Sequence, residues 1–247
     1  MRSSHRWLIL RLEAPMLAFG GIAIDHIGIT RDFPAASMLT GLIANALGWH
    51  RADWRRHQAL QDRLVFASRL DRLSVTGTLT DMQNAQLYQN KVGWWTTGEC
   101  PERRGGGKNT YLSPHQRFRD YHADASVTLA LRLVPANLDP DLDSVTRALT
   151  RPARPIFLGR KPCLPTTQVL HGEQSAATAY DALMGVPVSE GADSTMRCCW
   201  PVSEGPETGS SVHRIVDLAD LRNWKSGLHG GSRRVVEGTI VCAGVSS

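Results

Sequence analysis

The chain has 247 residues, 42% hydrophobic and 21% charged, a composition typical of a globular protein large enough to bury its own core. It contains no apolar run of about 18 residues, so no membrane-spanning helix is predicted. The net charge is +5 and only four of the 28 basic residues are lysine. This arginine excess indicates either a polyanionic partner or a genome that favours arginine codons.

Five cysteines are present, at positions 100, 163, 198, 199 and 242, and no Cys-x-x-Cys occurs. An odd number with two neighbours argues against a disulfide framework and against a zinc site. We therefore expect no metal and no cofactor, and a reducing cytoplasm as the location. The basic and then apolar start is short and contains Arg11, which favours a first strand over an export signal.

The first part of the chain predicts a strand, a loop and a helix. Residues 7–12 are the strand, and residues 14–36 are a loop punctuated by glycine and proline. Residues 37–48 form the helix, with Ser37 as the N-cap and Gly48 as the stop. Five apolar side chains share one face of this helix: Leu39, Leu42, Ile43, Ala46 and Leu47.

A second helix is predicted over 53–62, followed by strands at 63–70 and 72–80 joined by a tight turn. The alternation then fades over residues 81–123, which contain paired tryptophans and the run Glu-Arg-Arg-Gly-Gly-Gly-Lys-Asn. The run is not a phosphate-binding P-loop, because Glu102 stands where a glycine is required and Asn109 where Ser or Thr is required. We interpret 81–123 as a projecting hairpin.

The second half begins with a strand at 126–134, in which Val127, Leu129, Leu131 and Leu133 alternate onto one face. A helix follows at 139–150, with Asp139 as cap and Pro140 at its first position. A further strand is predicted at 155–159. Residues 165–210 have a loop-like composition, and two late strands fall within 211–242. Three side chains of the second-half helix are expected to face inward: Leu142, Val145 and Leu149.

This order predicts an α+β protein with a ferredoxin-like (RRM-like) β-α-β-β-α-β core, an inserted hairpin and an elaborated C-terminal β region at 166–247. No internal repeat and no second core are evident, so a single domain over 1–247 is expected. The fold is shared by RNA-recognition domains and many other proteins, so it does not name a function.

Residues 154–165 place Gly159, Arg160 and Lys161 at the end of an apolar run flanked by prolines. The segment is either a cationic surface turn or a phosphate contact. The first helix offers a second anion site at its N-terminus, with Arg31 just upstream. Because the ferredoxin-like order brings the last strand near the first strand–helix loop, we expect the two sites to lie side by side.

Four segments in this order resemble the CRISPR-associated "Cas five" family, in particular its branch in the type I-E Cascade surveillance complex. They are Pro-Met-Leu-Ala-Phe-Gly (15–20), the stretch 31–48 that ends in a Gly- and Ala-containing helix, the strand entry 118–131, and the Leu-Gly-Arg-Lys stretch within 151–165. The resemblance covers roughly residues 6–165. The chain departs from the family at Leu17 and Phe19, where the family's first loop usually has Gln and Trp.

The resemblance implies a non-catalytic RNA-binding subunit that holds the 5′ handle of the guide crRNA and caps the filament of backbone subunits of the Cas seven family. It also implies contact with the large subunit of the Cas eight family, which reads the protospacer-adjacent motif, with target DNA close by and no membrane. The hairpin at 81–123 corresponds to the family's thumb. The implied RNA contacts are Met16, Phe19, Gly20, Arg31, Ser37, Gly159, Arg160 and Lys161, with thumb candidates Trp94, Trp95, Arg103, Arg104 and Lys108.

Two other functions stay open. Another branch of the same family cuts precursor crRNA without metal, using Tyr, Lys and His side chains. Tyr111, His115, Tyr121 and His122 leave that activity possible here. A small-molecule enzyme on a ferredoxin-like fold would need an apolar pocket with clustered acids or bases, and the sequence shows no compact set of them.

Overall fold

The structure is a computed structural model and describes residues 3–21, 23–24, 26–73, 77–85 and 115–241. Within these residues it contains ten strands and four helices. The strands are β1 (His5–Leu17), β2 (Ala23–Ile24), β3 (Ile27–Gly28), β4 (Leu64–Arg72), β5 (Thr78–Ala85), β6 (His115–Leu133), β7 (Leu170–Ala176), β8 (Thr195–Pro201), β9 (Val212–Leu218) and β10 (Arg233–Val241). The helices are α1 (Ala36–Ala46), α2 (Trp54–Arg63), α3 (Leu142–Thr150) and α4 (Ala179–Met184).

The strands form one mostly antiparallel sheet. β7 pairs with β1, β1 with β6 and β6 with β4, and the sheet continues through β8 and β10 to β9. Only the short β3 runs parallel to its neighbour, β6. The described structure is therefore an antiparallel sheet with few helices, which agrees with the α+β prediction at that level.

The long strand β6 serves two parts of the molecule. Its second half lies in the core, where Val127 is opposite Leu12 of β1 and Leu70 of β4. Its first half pairs with β5, from Thr78 opposite His122 to Ala85 opposite His115. The tight turn predicted between strands at 63–70 and 72–80 is wrong, because Asp71 lies within β4. The next strand, β5, begins only at Thr78 and pairs with β6. The predicted hairpin thus has β5 and β6 as its stem, and residues 86–114 lie outside the described part.

The core lies on both faces of the sheet, as the alternation in β1 shows. Leu8, Leu10 and Leu12 pack on the face covered by α1 and α3, and Trp7 and Ile9 face α4. The alternating residues predicted for β6 and the inward residues predicted for α3 are all buried. Of the predicted α1 face, only Leu47 is partly exposed.

Several predicted boundaries need correction. The cap of α3 is Asp141 and not Asp139, because the Asp141 carboxylate accepts a hydrogen bond of 2.8 Å from the Ser144 amide. Residues 155–159 form no strand, and the place beside β1 is taken by β7. The stretch 165–210, predicted as loop, contains β7, α4 and β8. The helix predicted at 53–62 and the two late strands are confirmed.

Candidate nucleic-acid interface

The Leu-Gly-Arg-Lys stretch is a closed turn held against the loop after β1. Leu158 accepts a hydrogen bond from the Ala18 amide, and its own amide donates to the Cys163 carbonyl. Gly159 has φ of +98°, and a Cβ at this position would lie 1.7 Å from the Ala18 carbonyl oxygen. Only glycine fits both the conformation and the close approach. The turn is thus held in place by its contact with the first loop.

Arg160 is fixed by the protein itself. Its guanidinium donates to the backbone carbonyls of Asp120 and Gly28, each at 2.8 Å, and lies 4.8 Å from the centre of the Tyr121 ring. These contacts therefore attach the turn to the base of the β5–β6 hairpin. Arg160 provides a positioned charge with much of its donor capacity already used, whereas the neighbouring Lys161 is exposed.

The start of α1 differs from the prediction. Ser37 is buried inside the helix and is not its N-cap. The Asp220 carboxylate accepts a hydrogen bond of 3.1 Å from the Ala36 amide and also pairs with the Arg233 guanidinium at 2.9 Å. Arg31 donates to the Ala219 carbonyl beside it. The anion position predicted at this helix end is therefore occupied by the chain's own carboxylate.

The turn and the helix nevertheless line one cleft of about 610 Å³. Gly159 and Arg160 form one side, and Ser37, Met38 and Gly41 of α1 form another. The structure thus brings together two segments that are more than a hundred positions apart in the sequence.

The walls of this cleft are basic. Among the described residues, the lining includes no Asp or Glu. Arg154 donates to the Gly48 and Trp49 carbonyls at the end of α1. Arg119, on β6, forms no hydrogen bond or ion pair with the described residues, so its guanidinium is available to a ligand. Five arginines and two tryptophans line the cleft: Arg51, Arg119, Arg154, Arg160, Arg222, Trp49 and Trp224.

Four of those arginines were not predicted as site residues: Arg51, Arg119, Arg154 and Arg222. They come from a loop, a strand and two distant segments, and no local motif marks them. The only sequence signal was the overall excess of arginine over lysine. Their grouping depends on the sheet topology, which a single sequence does not specify.

The first loop contributes less than predicted. Phe19 is fully buried and its ring lies 4.8 Å from the ring of His122, so it is a core residue and cannot contact RNA in this conformation. Met16 is partly buried against the core, and Gly20 lines the cleft. The thumb candidates lie outside the described residues: Trp94, Trp95, Arg103, Arg104 and Lys108.

The candidate acid–base residues are not arranged for catalysis where the structure describes them. Tyr121 is 2% exposed beneath Arg160. The Nε2 atom of His122 is 2.7 Å from the Arg31 carbonyl oxygen. Both are therefore engaged in packing or in backbone contacts. Tyr111 and the side chain of His115 lie outside the described part.

Over the described ranges, no group of three His, Cys, Asp or Glu side chains is placed to hold a metal ion. None of the helices in those ranges has the length and apolar character needed to cross a membrane.

Comparison with known proteins places the chain in a family. The family model described as "CRISPR-associated protein (Cas_Cas5)" matches residues 7–236. This chain belongs to the Cas5 family of CRISPR-associated proteins. It is 30% identical over 178 residues to "CRISPR system Cascade subunit CasD" of Escherichia coli (strain K12), a match that covers 72% of this chain and 75% of CasD. The family resemblance inferred from the sequence is confirmed.

Two solved structures share the fold. A chain of a "CRISPR RNA-guided surveillance complex" has a TM-score of 0.64 and 20% identity, with 95% of this chain and 90% of that chain covered. A "Crystal structure of Cas protein" has a TM-score of 0.59 and 21% identity, with 95% of each chain covered. Both solved structures therefore share the fold of this Cas5 chain over nearly the whole of the chain.

Proposed function

We propose that this Cas5 chain is a non-catalytic subunit of a type I-E Cascade complex that binds the 5′ handle of the guide crRNA. In that role it caps the filament of Cas seven-family backbone subunits and helps to position the large Cas eight-family subunit near the target DNA. The relationship to a protein named as a Cascade subunit supports membership of such a complex. The basic cleft supports binding of RNA.

The observation that carries the proposal is the charge of the cleft. Five arginines line it, and none of its described lining residues is an acid. An RNA backbone carries one negative charge per phosphate, so such a surface gains affinity by releasing the counterions of the RNA. Arg160 and Arg154, which are held by backbone carbonyls, lose little side-chain freedom when a phosphate arrives.

The architecture fits the same role. The strand order β7-β1-β6-β4, with α1 and α2 between β1 and β4 and α3 between β6 and β7, supports a ferredoxin-like core. We propose that the chain is one domain with this core. The β5–β6 hairpin then forms the base of the thumb, and β8 to β10 form the C-terminal elaboration. The hydrogen bond from Arg160 to the Asp120 carbonyl at the hairpin base would hold the thumb in a fixed direction relative to the cleft.

Arg119→Ala tests the proposal with little risk to folding, because Arg119 lines the cleft without a hydrogen bond to the described residues. We expect the affinity for guide RNA bearing its 5′ handle to fall about tenfold at physiological salt, and the slope of log K against log salt to decrease by about 0.7, the loss of one phosphate contact. Fluorescence anisotropy at several salt concentrations measures both quantities. Lys161→Ala, measured in parallel, tests the exposed lysine of the turn.

Arg151→Ala is the matched control, because Arg151 is an exposed arginine that does not line the cleft. It should bind within twofold of the parent. Parent protein that binds guide RNA equally well with and without the handle would contradict the proposed function, and so would Arg119→Ala that binds like the parent at every salt concentration.

The non-catalytic assignment yields a separate prediction. Because Tyr121 is buried and His122 is engaged with the Arg31 carbonyl, neither is placed to activate a 2′-hydroxyl. We expect a repeat-derived RNA hairpin to remain intact after prolonged incubation with the purified chain in EDTA, as judged on a denaturing gel. Specific cleavage that Tyr111→Phe abolishes would instead establish the metal-independent endoribonuclease.

A further inference from the structure

A second cavity of about 280 Å³ adjoins the cleft. Its polar lining includes the cations Arg51, Arg222 and Lys225, and its aromatic lining is Trp54 and Trp224. No Asp or Glu is among its described lining residues. Arg51, Arg222 and Trp224 line both cavities, so the cleft and the second cavity meet at these three side chains.

Two guanidinium groups lie close to Gly227, which lines this cavity. A Cβ added to Gly227 would lie 3.4 Å from an Nη atom of Arg222 and 3.5 Å from an Nη atom of Arg51. Neither arginine forms an ion pair with the described residues, and Arg222 Nε is buried without a hydrogen-bond partner. Like charges held this close without a counter-charge provide a place for an anion.

The pKa shifts of two nearby groups, Arg222 and His229, agree with this geometry. Burial lowers the pKa of Arg222, and the positive charge of Arg51 lowers it further. Burial likewise lowers the pKa of His229, helped by the charges of Arg222 and Arg31. The local positive charge therefore affects both groups, and the negative charge of a bound phosphate would offset it.

The two tryptophans differ in their freedom. The Trp224 indole N–H donates to the Gln61 side chain at 3.1 Å, and its ring lies 4.7 Å from the His57 ring, so it forms a fixed wall. Trp54 is half-exposed at the mouth, with the Arg55 guanidinium 4.7 Å from its ring centre. Indole rings that are partly exposed beside cations are platforms on which nucleobases stack.

We propose that this second cavity binds one nucleotide of the single-stranded guide RNA, with its phosphate between Arg51 and Arg222 and its base stacked on Trp54. The inference rests on the proposed function, because the guide RNA would have to pass from the cleft into this cavity, past the shared residues Arg51, Arg222 and Trp224. It assigns an RNA contact to the β9–β10 connection, which lies outside the four short segments that suggested the family in the sequence analysis.

The test uses the full chain and handle-bearing guide RNA. Trp54→Ala should lose about tenfold to a hundredfold in affinity, the usual effect of removing a stacking platform, and Trp54→Phe should recover most of it. Arg51→Gln should lose affinity and also lower the salt slope by about 0.7. Arg151→Gln, an exposed arginine that lines neither cavity, should match the parent. Guide RNA substituted with 5-iodouridine should cross-link to the peptide containing Trp54.

The two proposals fail differently. If Arg119→Ala weakens binding but Trp54→Ala and Arg51→Gln bind like the parent, the second cavity is not a nucleotide site although the cleft is. If the parent shows no preference for handle-bearing RNA, the proposed function itself fails. The 5-iodouridine cross-link needs no substitution in the protein, so it keeps the test decisive even if Trp54→Ala proves unstable in a thermal melt.

Discussion

Replacing Gly159 with alanine should lower the free energy of unfolding by about 3–5 kcal/mol, because the substitution forces the backbone to move. The φ angle of +98° is unfavourable for any L-residue, and the new Cβ would lie 1.7 Å from the Ala18 carbonyl oxygen. A backbone carbonyl cannot turn aside as a flexible side chain can. The turn would therefore separate from the first loop, and the cleft would lose one of its sides.

Gly209→Ala is the matched control for this prediction. Gly209 has φ of +113°, but a Cβ there would meet nothing within 4 Å. It should lose only the conformational part, about 1–2 kcal/mol. Denaturant unfolding followed by tryptophan fluorescence compares the two variants. Equal losses would mean that the contact with Ala18 is not what requires glycine at position 159. Handle-RNA affinity should fall for Gly159→Ala and stay unchanged for Gly209→Ala.

Periodic elements could be predicted from the sequence because their own residues carry the signal. Leu39, Leu42 and Ile43 recur at helical spacing, and this face of α1 is buried. In the second half of β6, Val127 and Leu129 alternate with residues that face the other side of the sheet. In both cases the spacing of the apolar residues along the element shows which face packs into the core.

The regions predicted wrongly depend on distant partners. Residues 155–159 are apolar enough for a strand, but Leu158 bonds to Ala18 and Cys163 in a turn instead. The strand β7 has a polar, half-exposed sequence, and it is a strand because β1 supplies its hydrogen bonds. Local composition cannot reveal a partner more than 150 positions away.

The candidate site was predictable only in part, for the same reason. The Leu-Gly-Arg-Lys turn could be identified, and the structure places it beside α1, but its arginine is held by backbone carbonyls. The freer cations, Arg51 and Arg119, come from segments without a motif. The cap of α1 was missed because Asp220 is supplied from the other end of the chain. Sequence reasoning finds the residues that form a turn, and topology decides which charges stay available.

Asp220→Ala should lower the free energy of unfolding by about 3–5 kcal/mol, because it leaves a largely buried charge without its partner. The Asp220 side chain is fully buried, and that of Arg233, which pairs with it at 2.9 Å, is 17% exposed. The change also removes the hydrogen bond to the Ala36 amide at the start of α1. Asp220→Asn keeps an acceptor for that amide, so it should recover the smaller, capping part of the loss.

Asp143→Ala is the control for an ion pair in water: Asp143 is 57% exposed and pairs with Arg6 at 2.6 Å, so its loss should cost under about 1 kcal/mol. Urea unfolding of all three variants ranks the effects. If Asp220→Ala were as stable as the parent, the carboxylate would not be the cap of α1. The helix end would then be open to a phosphate, as its sequence alone suggested, and guide RNA would bind there through backbone amides. A large loss for Asp220→Ala would instead support the proposal that arginine side chains bind the RNA, because the start of α1 is already capped by a carboxylate of the chain itself.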